Sequence, residues 1–167
     1  RFVDEGVDVR LDTVAKAFEV TGGEKRLRAE HDGEIVDIVF DQVLVAVGRA
    51  ANVSGYGAED IGVELSERRT IAVNEYMQTN YPNIFACGDV AGPYQFTHTA
   101  AHTAWYASVN ALFGRFRKFK VDYSVIPWAT FTDPEVARVG LNETEAKARN
   151  IPYELTTYGI DDLDRAI

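Results

Sequence analysis

The spacing of apolar and polar positions changes period along the chain, and each change marks a different kind of element. Val7-Asp8-Val9-Arg10-Leu11 alternates and predicts a short strand. Val14–Thr21, Lys25–His31 and Glu34–Phe40 predict an antiparallel meander, with Gly22-Gly23 and Asp32-Gly33 as its turns. Asp41–Val47 is a nearly continuous apolar run of the kind found in a strand buried on both faces, and it stops at Gly48-Arg49. A loop carrying Asn52, Gly55 and Gly57 follows. Thr70–Val73 predicts one more strand, Tyr81-Pro82-Asn83 a turn, and Ile84–Cys87 a second buried strand.

From Thr99 to Phe113 the period lengthens to that of a helix. Ala101, Trp105, Val109 and Leu112 fall on one stripe, with Ala100, Ala104, Ser108 and Ala111 beside it. So many small residues predict close packing of that stripe against a sheet or a flat ligand. Gly114 stands where a helix is commonly ended by glycine. Val125–Pro127 and Ala129–Phe131 read as edge-strand material, Thr132–Glu135 as a turn and Val136–Val139 as a strand. Asn142-Glu143-Thr144-Glu145 has the form of a capping box and predicts a helix start, and Pro152–Thr157 predicts a last strand.

Composition narrows the class of protein. A chain of 167 residues that is 46% hydrophobic and 26% charged is globular in character. Its formal net charge of −9 argues against a general affinity for nucleic acid or anionic membrane. Arg115-Phe116-Arg117-Lys118-Phe119-Lys120, where basic residues alternate with aromatics, therefore reads as a solvated linker. The apolar runs are too short to span a bilayer, and no basic stretch followed by an apolar one opens the chain as a secretion signal would. Asn52-Val53-Ser54 and Asn142-Glu143-Thr144 match glycosylation sequons, which without such a signal are chance matches. The chain opens on Arg1 and ends on Ile167 after a charged turn, which reads as a piece of a longer protein. With one cysteine it holds no internal disulfide, dithiol pair or cysteine zinc site, and Cys87, set among apolar neighbours, is expected in the core.

The stretch richest in chemistry is Asn83-Ile84-Phe85-Ala86-Cys87-Gly88-Asp89-Val90-Ala91-Gly92, followed by Pro93-Tyr94-Gln95-Phe96-Thr97-His98. An apolar strand stops at a glycine, an acid follows, and a Gly/Pro turn leads into a helix. Ligands of open α/β sheets gather at the carboxyl ends of strands. An aspartate there accepts hydrogen bonds from sugar or ribityl hydroxyls, and a helix amino terminus favours an anionic ring or phosphate. His98 and His102, four residues apart on that helix, have a spacing seen in metal sites, but no third ligand is evident nearby.

Three motifs in order resemble the pyridine nucleotide-disulfide oxidoreductase family. Asp41–Asn52 resembles the strand that closes its NAD domain, Thr79–Val90 its second FAD-binding motif, and Val125–Glu135 with Val139-Gly140-Leu141 the opening of its dimerisation domain. Together they cover nearly the whole chain, and they are similar to the branch holding dihydrolipoamide dehydrogenase and mercuric reductase. The resemblance implies an α/β fold made of partial NAD(P)-binding and FAD-binding domain segments plus the first half of an α+β dimerisation domain. It places these at residues 1–76, 77–118 and 119–167. It implies FAD and NAD(P)H as cofactors, with Asp89 bonding the ribityl chain and Gln95, Phe96, Thr97 and His98 lying along the flavin. Gly48 would pass near the nicotinamide nucleotide, where a glycine permits close approach.

The family's glycine-rich fingerprint, paired redox cysteines and His-Glu pair have no match in this sequence, so the chain by itself is not expected to turn over. The whole protein would be a cytoplasmic, dimeric enzyme carrying electrons from NAD(P)H through FAD to a disulfide or metal-ion acceptor. A non-catalytic flavin-binding or assembly module, and a piece of a ferredoxin- or oxygen-linked FAD reductase, are the alternatives; Val125–Leu141 argues against the latter. Exposed strand edges predict a homodimer or larger assembly.

Overall fold

The computed structural model describes residues 1–159, which form two compact units, Arg1–Arg49 and a second from Ala50 onward. The first is a three-stranded antiparallel sheet in sequence order, β1 (Thr13–Thr21), β2 (Glu24–His31) and β3 (Glu34–Val39). Its two tight turns use left-handed backbone at both central residues, with φ of 63° and 89° at Gly22-Gly23 and 50° and 82° at Asp32-Gly33. Turns of that hand match the twist of the strands they join, and so lock the registers Thr21↔Glu24 and His31↔Glu34. A bulge at Lys16 shifts the β1–β2 ladder between Ala15 and Ala17. Ala29, paired with Ala15 on one side and Val36 on the other, is the buried centre. Cross-strand ion pairs join Lys16 to Glu30 at 2.7 Å and Arg28 to Glu19 at 3.2 Å. Both are exposed, so each contributes ~0–1 kcal/mol at most.

Two expectations fail in this unit. Val7–Leu11 is not a strand; it holds a local Arg10–Asp8 ion pair at 2.7 Å, and Leu11 O accepts from Thr13 Oγ1 at 2.9 Å. Asp41–Val47 forms no strand either, and Leu44 and Val47 are 89% and 90% exposed. A strand buried on both faces exists only where neighbouring strands and covering helices meet it; unit 1 has no helix, and none of its strands pairs with residues 41–47.

The second unit is built around α1 (Thr97–Phe113). Before it come loops joined by single bridges, Leu65↔Ile71 and Gln78↔Phe85, in place of the strands expected at Thr70–Val73 and Ile84–Cys87. Side chains do the work that ladders would do elsewhere. Asn74 Oδ1 accepts from the backbone N–H of Tyr76 and Gln78 at 2.9 and 3.2 Å. The Asn80 amide spans Gly62 O and Glu64 N at 3.0 and 3.1 Å. Met77, Ala91 and Ala107 form the buried core, with Phe85, Cys87 and Val121 packed against it. Cys87 is half-buried there and unpaired with any other sulfur.

The face that α1 buries is not the expected one. Trp105 and Leu112 are 52% and 71% exposed, while Thr99, Thr103, Ala107 and Asn110 are buried. What packs on the helix is loop backbone, and buried backbone polar groups require partners. Asn110 supplies three bonds: its Nδ2 donates to Tyr76 O at 3.0 Å and Phe119 O at 2.8 Å, and its Oδ1 accepts from Phe119 N at 2.8 Å. Gly114 ends the helix in right-handed geometry, φ −62°, with its N–H on Asn110 O, so the left-handed glycine cap is absent.

After the linker come the two-stranded hairpin β4 (Trp128–Thr130) and β5 (Val136–Arg138) and the helix α2 (Glu143–Ala148). The expected capping box is present in full. Asn142 Oδ1 accepts from Glu145 N at 2.9 Å, and Glu145 Oε2 accepts from Asn142 N at 3.2 Å. Pro152–Thr157 carries no regular element, so the last expected strand is not formed. Among the described residues, no helix is long and apolar enough to cross a membrane.

Candidate functional site

The backbone entering the site is fixed by a glycine that no other residue replaces easily. Gly88 is buried with φ +72°, and a Cβ added there would stand 3.2 Å from the Ala100 Cβ on α1. Both conditions, left-handed backbone and contact with a helix, select glycine. Gly88 opens a short 3-10 turn, Gly88–Val90, which presents Asp89 at the surface. The Gly88 N–H donates to Thr103 Oγ1 at 2.9 Å, and the Thr103 hydroxyl donates onward to Thr99 O at 2.9 Å. The turn carrying the acid is thereby tied to the first two turns of α1.

The start of α1 faces the same region. Its cap residue Phe96 has extended backbone and makes no side-chain cap hydrogen bond. An uncapped amino terminus presents backbone N–H groups and the positive end of the helix dipole. Thr99, 1% exposed, has an Oγ1 without a hydrogen-bond partner. Tyr94, Phe96 and His98 stack in a row, with ring centroids 6.1 and 5.4 Å apart and interplanar angles of 14° and 9°. Trp128 lies tilted against Phe96 at 6.3 Å. Gln95–His98 also form one wall of a 770 Å³ cleft whose other wall is β4 and β5, including Trp128, Ala137 and Arg138.

Of the residues singled out from sequence, Asp89, Gln95, Phe96, Thr97 and His98 thus lie on the turn before α1 and on its first turn. Gly48 belongs to the other unit, where it has φ +121° and open space at its Cβ position. The two histidines do something that their spacing does not reveal. His98 Nε2 meets Pro127 O and His102 Nε2 meets Asp122 O, each at 2.7 Å. They pin the 122–127 connector along α1, and among the described residues no group of three or more His, Cys, Asp or Glu side chains could hold a metal ion. Thr103 and Asn110 were likewise missed. A threonine and an asparagine amid alanines carry no distinguishing local signal, and their partners lie 15 and 34 residues away.

Electrostatic shifts near the site have plain causes. Burial, with the neighbouring Tyr94, raises the Tyr123 phenol, whose OH reaches Gly92 O at 3.5 Å. Asp122 is held below the usual carboxylate range by hydrogen bonds from Ser124, with a smaller contribution from His102. On the far wall of the cleft Arg138 meets Glu145 at 2.6 Å and lowers its carboxyl.

The donor set fits a dinucleotide carrying a flat ring. An exposed carboxylate suits hydroxyls, an uncapped helix start suits an anionic or electron-rich ring edge, and the glycine keeps the backbone free of a Cβ between them.

Residues 1–104 match the family model described as pyridine nucleotide-disulphide oxidoreductase, and residues 126–167 match the model of that family's dimerisation domain. The chain is 35% identical to dihydrolipoyl dehydrogenase of Chlamydia pneumoniae over 167 residues, all of this chain and 35% of that protein. It is 33% identical to mercuric reductase of Lysinibacillus sphaericus over 165 residues, 99% of this chain and 30% of that protein. Among solved structures, the HOCl-induced flavoprotein disulfide reductase RclA of Escherichia coli superposes with a TM-score of 0.75 at 26% identity, covering 98% of this chain and 37% of that one. The chain spans about a third of the length of the relatives it matches.

Proposed function

The chain belongs to the pyridine nucleotide-disulphide oxidoreductase family, and from that premise we propose that it is the central and early dimerisation portion of an FAD-dependent enzyme that passes electrons from NAD(P)H to a disulfide or metal-ion acceptor. The observation that carries this reading is the Gly88-Asp89 turn bonded to α1 beside that helix's uncapped amino terminus.

FAD, when bound, supplies the two-electron carrier between nicotinamide and acceptor. The chain's own residues have distinct tasks. Asp89 accepts hydrogen bonds from ribityl hydroxyls and fixes the cofactor along the turn. Gln95, Phe96, Thr97 and His98 lie along the ring, and the N–H groups at the start of α1 favour negative charge at its edge. Gly48 lets the nicotinamide nucleotide approach the backbone. In this division residues 1–76 close the NAD(P)-binding domain, 77–118 form the central FAD segment, and 119–167 begin the dimerisation domain. The chain has one cysteine, so the redox disulfide is supplied by another part of the enzyme. Residues 119–167 pair two copies of the protein, and the enzyme works in the cytoplasm on a small-molecule or disulfide acceptor.

The test is a titration of FAD fluorescence with the purified chain, beside Asp89→Asn. We expect saturable quenching by the native chain and at least tenfold weaker binding by the variant, as for loss of a charge-assisted hydrogen bond. Equal binding by both would remove Asp89 from the site.

A further inference from the structure

Asp89 and Gln95–His98 lie on the turn before α1 and at the start of that helix. One buried hydroxyl stands behind them, and we propose that Thr103 is a positioning residue for this site: it sets the distance between Asp89 and the amino terminus of α1. The proposal rests on the flavin reading above and deepens it.

The geometry leaves the hydroxyl a single arrangement. A backbone N–H only donates, so Thr103 Oγ1 must accept from Gly88 at 2.9 Å. Its own proton is then shared between Thr99 O at 2.9 Å and Ala100 O at 3.1 Å. Thr103 is 1% exposed, so no water replaces either bond. Gly88 also packs on α1 closely enough that an added Cβ would stand 3.2 Å from the Ala100 Cβ, and the exposed Asp89 follows it in the same turn. The hydroxyl therefore joins two halves of one ligand surface. On one side is the carboxylate of Asp89. On the other is the first helical turn, whose carbonyls at Thr99 and Ala100 take the proton. A helix-interior threonine that bonds the carbonyl four residues back is ordinary, but one whose oxygen also holds a turn fifteen residues upstream fixes tertiary geometry.

The test compares Thr103→Val, which keeps shape and loses both bonds, with Thr103→Ser, which keeps the hydroxyl. Asn110→Ala serves as a control, because it loosens the same helix seven residues on without touching Gly88. For each chain, FAD affinity is measured by fluorescence quenching and the Gly88 amide by hydrogen exchange. The expected result is roughly tenfold weaker FAD binding and faster Gly88 exchange in Thr103→Val, with Thr103→Ser within about twofold of the native chain. Asn110→Ala should leave Gly88 exchange at the native rate once corrected for global unfolding. Native affinity in Thr103→Val overturns the proposal. So does an equal loss in Asn110→Ala, since that would reduce Thr103 to general support of the helix. A native chain that binds no FAD overturns the half-site reading on which the proposal rests, and is recognised because Gly88 still exchanges faster in Thr103→Val.

Discussion

Asp41–Val47 and Ile84–Cys87 are apolar runs of similar character, each ending at a glycine, yet they are treated differently by the chain. The first lies open, with Leu44 89% and Val45 66% exposed. The second packs beside Met77 and α1, with Phe85, Ala86 and Cys87 against the core. Composition does not separate them. The second run has a helix nearby whose buried face carries Thr103 and Asn110, and those side chains bond the backbone on either side of the run, at Gly88 N and Tyr76 O. An apolar run becomes core where the polar groups around it also find partners.

The largest effect should come from truncating the centre of the packed region. Met77 is 1% exposed, and Met77→Ala should cost about 2–5 kcal/mol, read by denaturant unfolding with Trp105 and Trp128 fluorescence, both in the second unit. Leu44→Ala in the open run should change stability by no more than ~0.5 kcal/mol. If the two substitutions cost the same, the contrast between the runs is wrong.

Asn110→Ala sharpens the polar half of the comparison. It strips partners from Phe119 N–H and from the carbonyls of Tyr76 and Phe119. Leaving these partly buried backbone groups unpaired should cost about 1–2 kcal/mol in the same unfolding experiment. A neutral result would mean that apolar packing alone holds the loops.

A smaller loss, about 1 kcal/mol, is expected for Asn142→Ala, which removes the capping box of α2, and it should appear as reduced helical signal in circular dichroism. The smallest effect is a dependence on pH. Glu145 is held below its ordinary value first by Arg138 and then by the Asn142 N–H. A depressed folded-state pKa means that the contribution is complete above the unfolded value of about 4.3 and is lost as pH falls through the lower folded value. Acid titration of α2 should show that loss, and Glu145→Gln should flatten it.

The local signals that the structure bears out are two-residue turns and a helix cap; the alternation of Val7–Leu11 and the glycine at Gly114 were local too and did not hold. Gly22-Gly23 and Asp32-Gly33 announced the meander because a left-handed turn is decided by two residues. The α2 cap was equally legible, since Asn142 and Glu145 meet within one turn. The strands expected at Asp41–Val47 and Pro152–Thr157 need partners that a window of sequence does not contain. The buried face of α1 was misread because apolar periodicity pointed to Trp105 and Leu112, while the loops required Thr103 and Asn110. In the site, Asp89 stood out through its motif. The bonds from His98 and His102 to a connector more than a turn beyond the helix were invisible in spacing alone.

The central claim is that polar side chains of one helix face hold the candidate flavin turn, while an equally apolar run elsewhere is left loose. Native-state hydrogen exchange tests it in one experiment. The account predicts protected amides at Gly88 and Phe119, whose N–H groups end on Thr103 and Asn110, and near-random-coil exchange at residues 43–47. Protection at 43–47 with rapid exchange at Gly88 and Phe119 would contradict it.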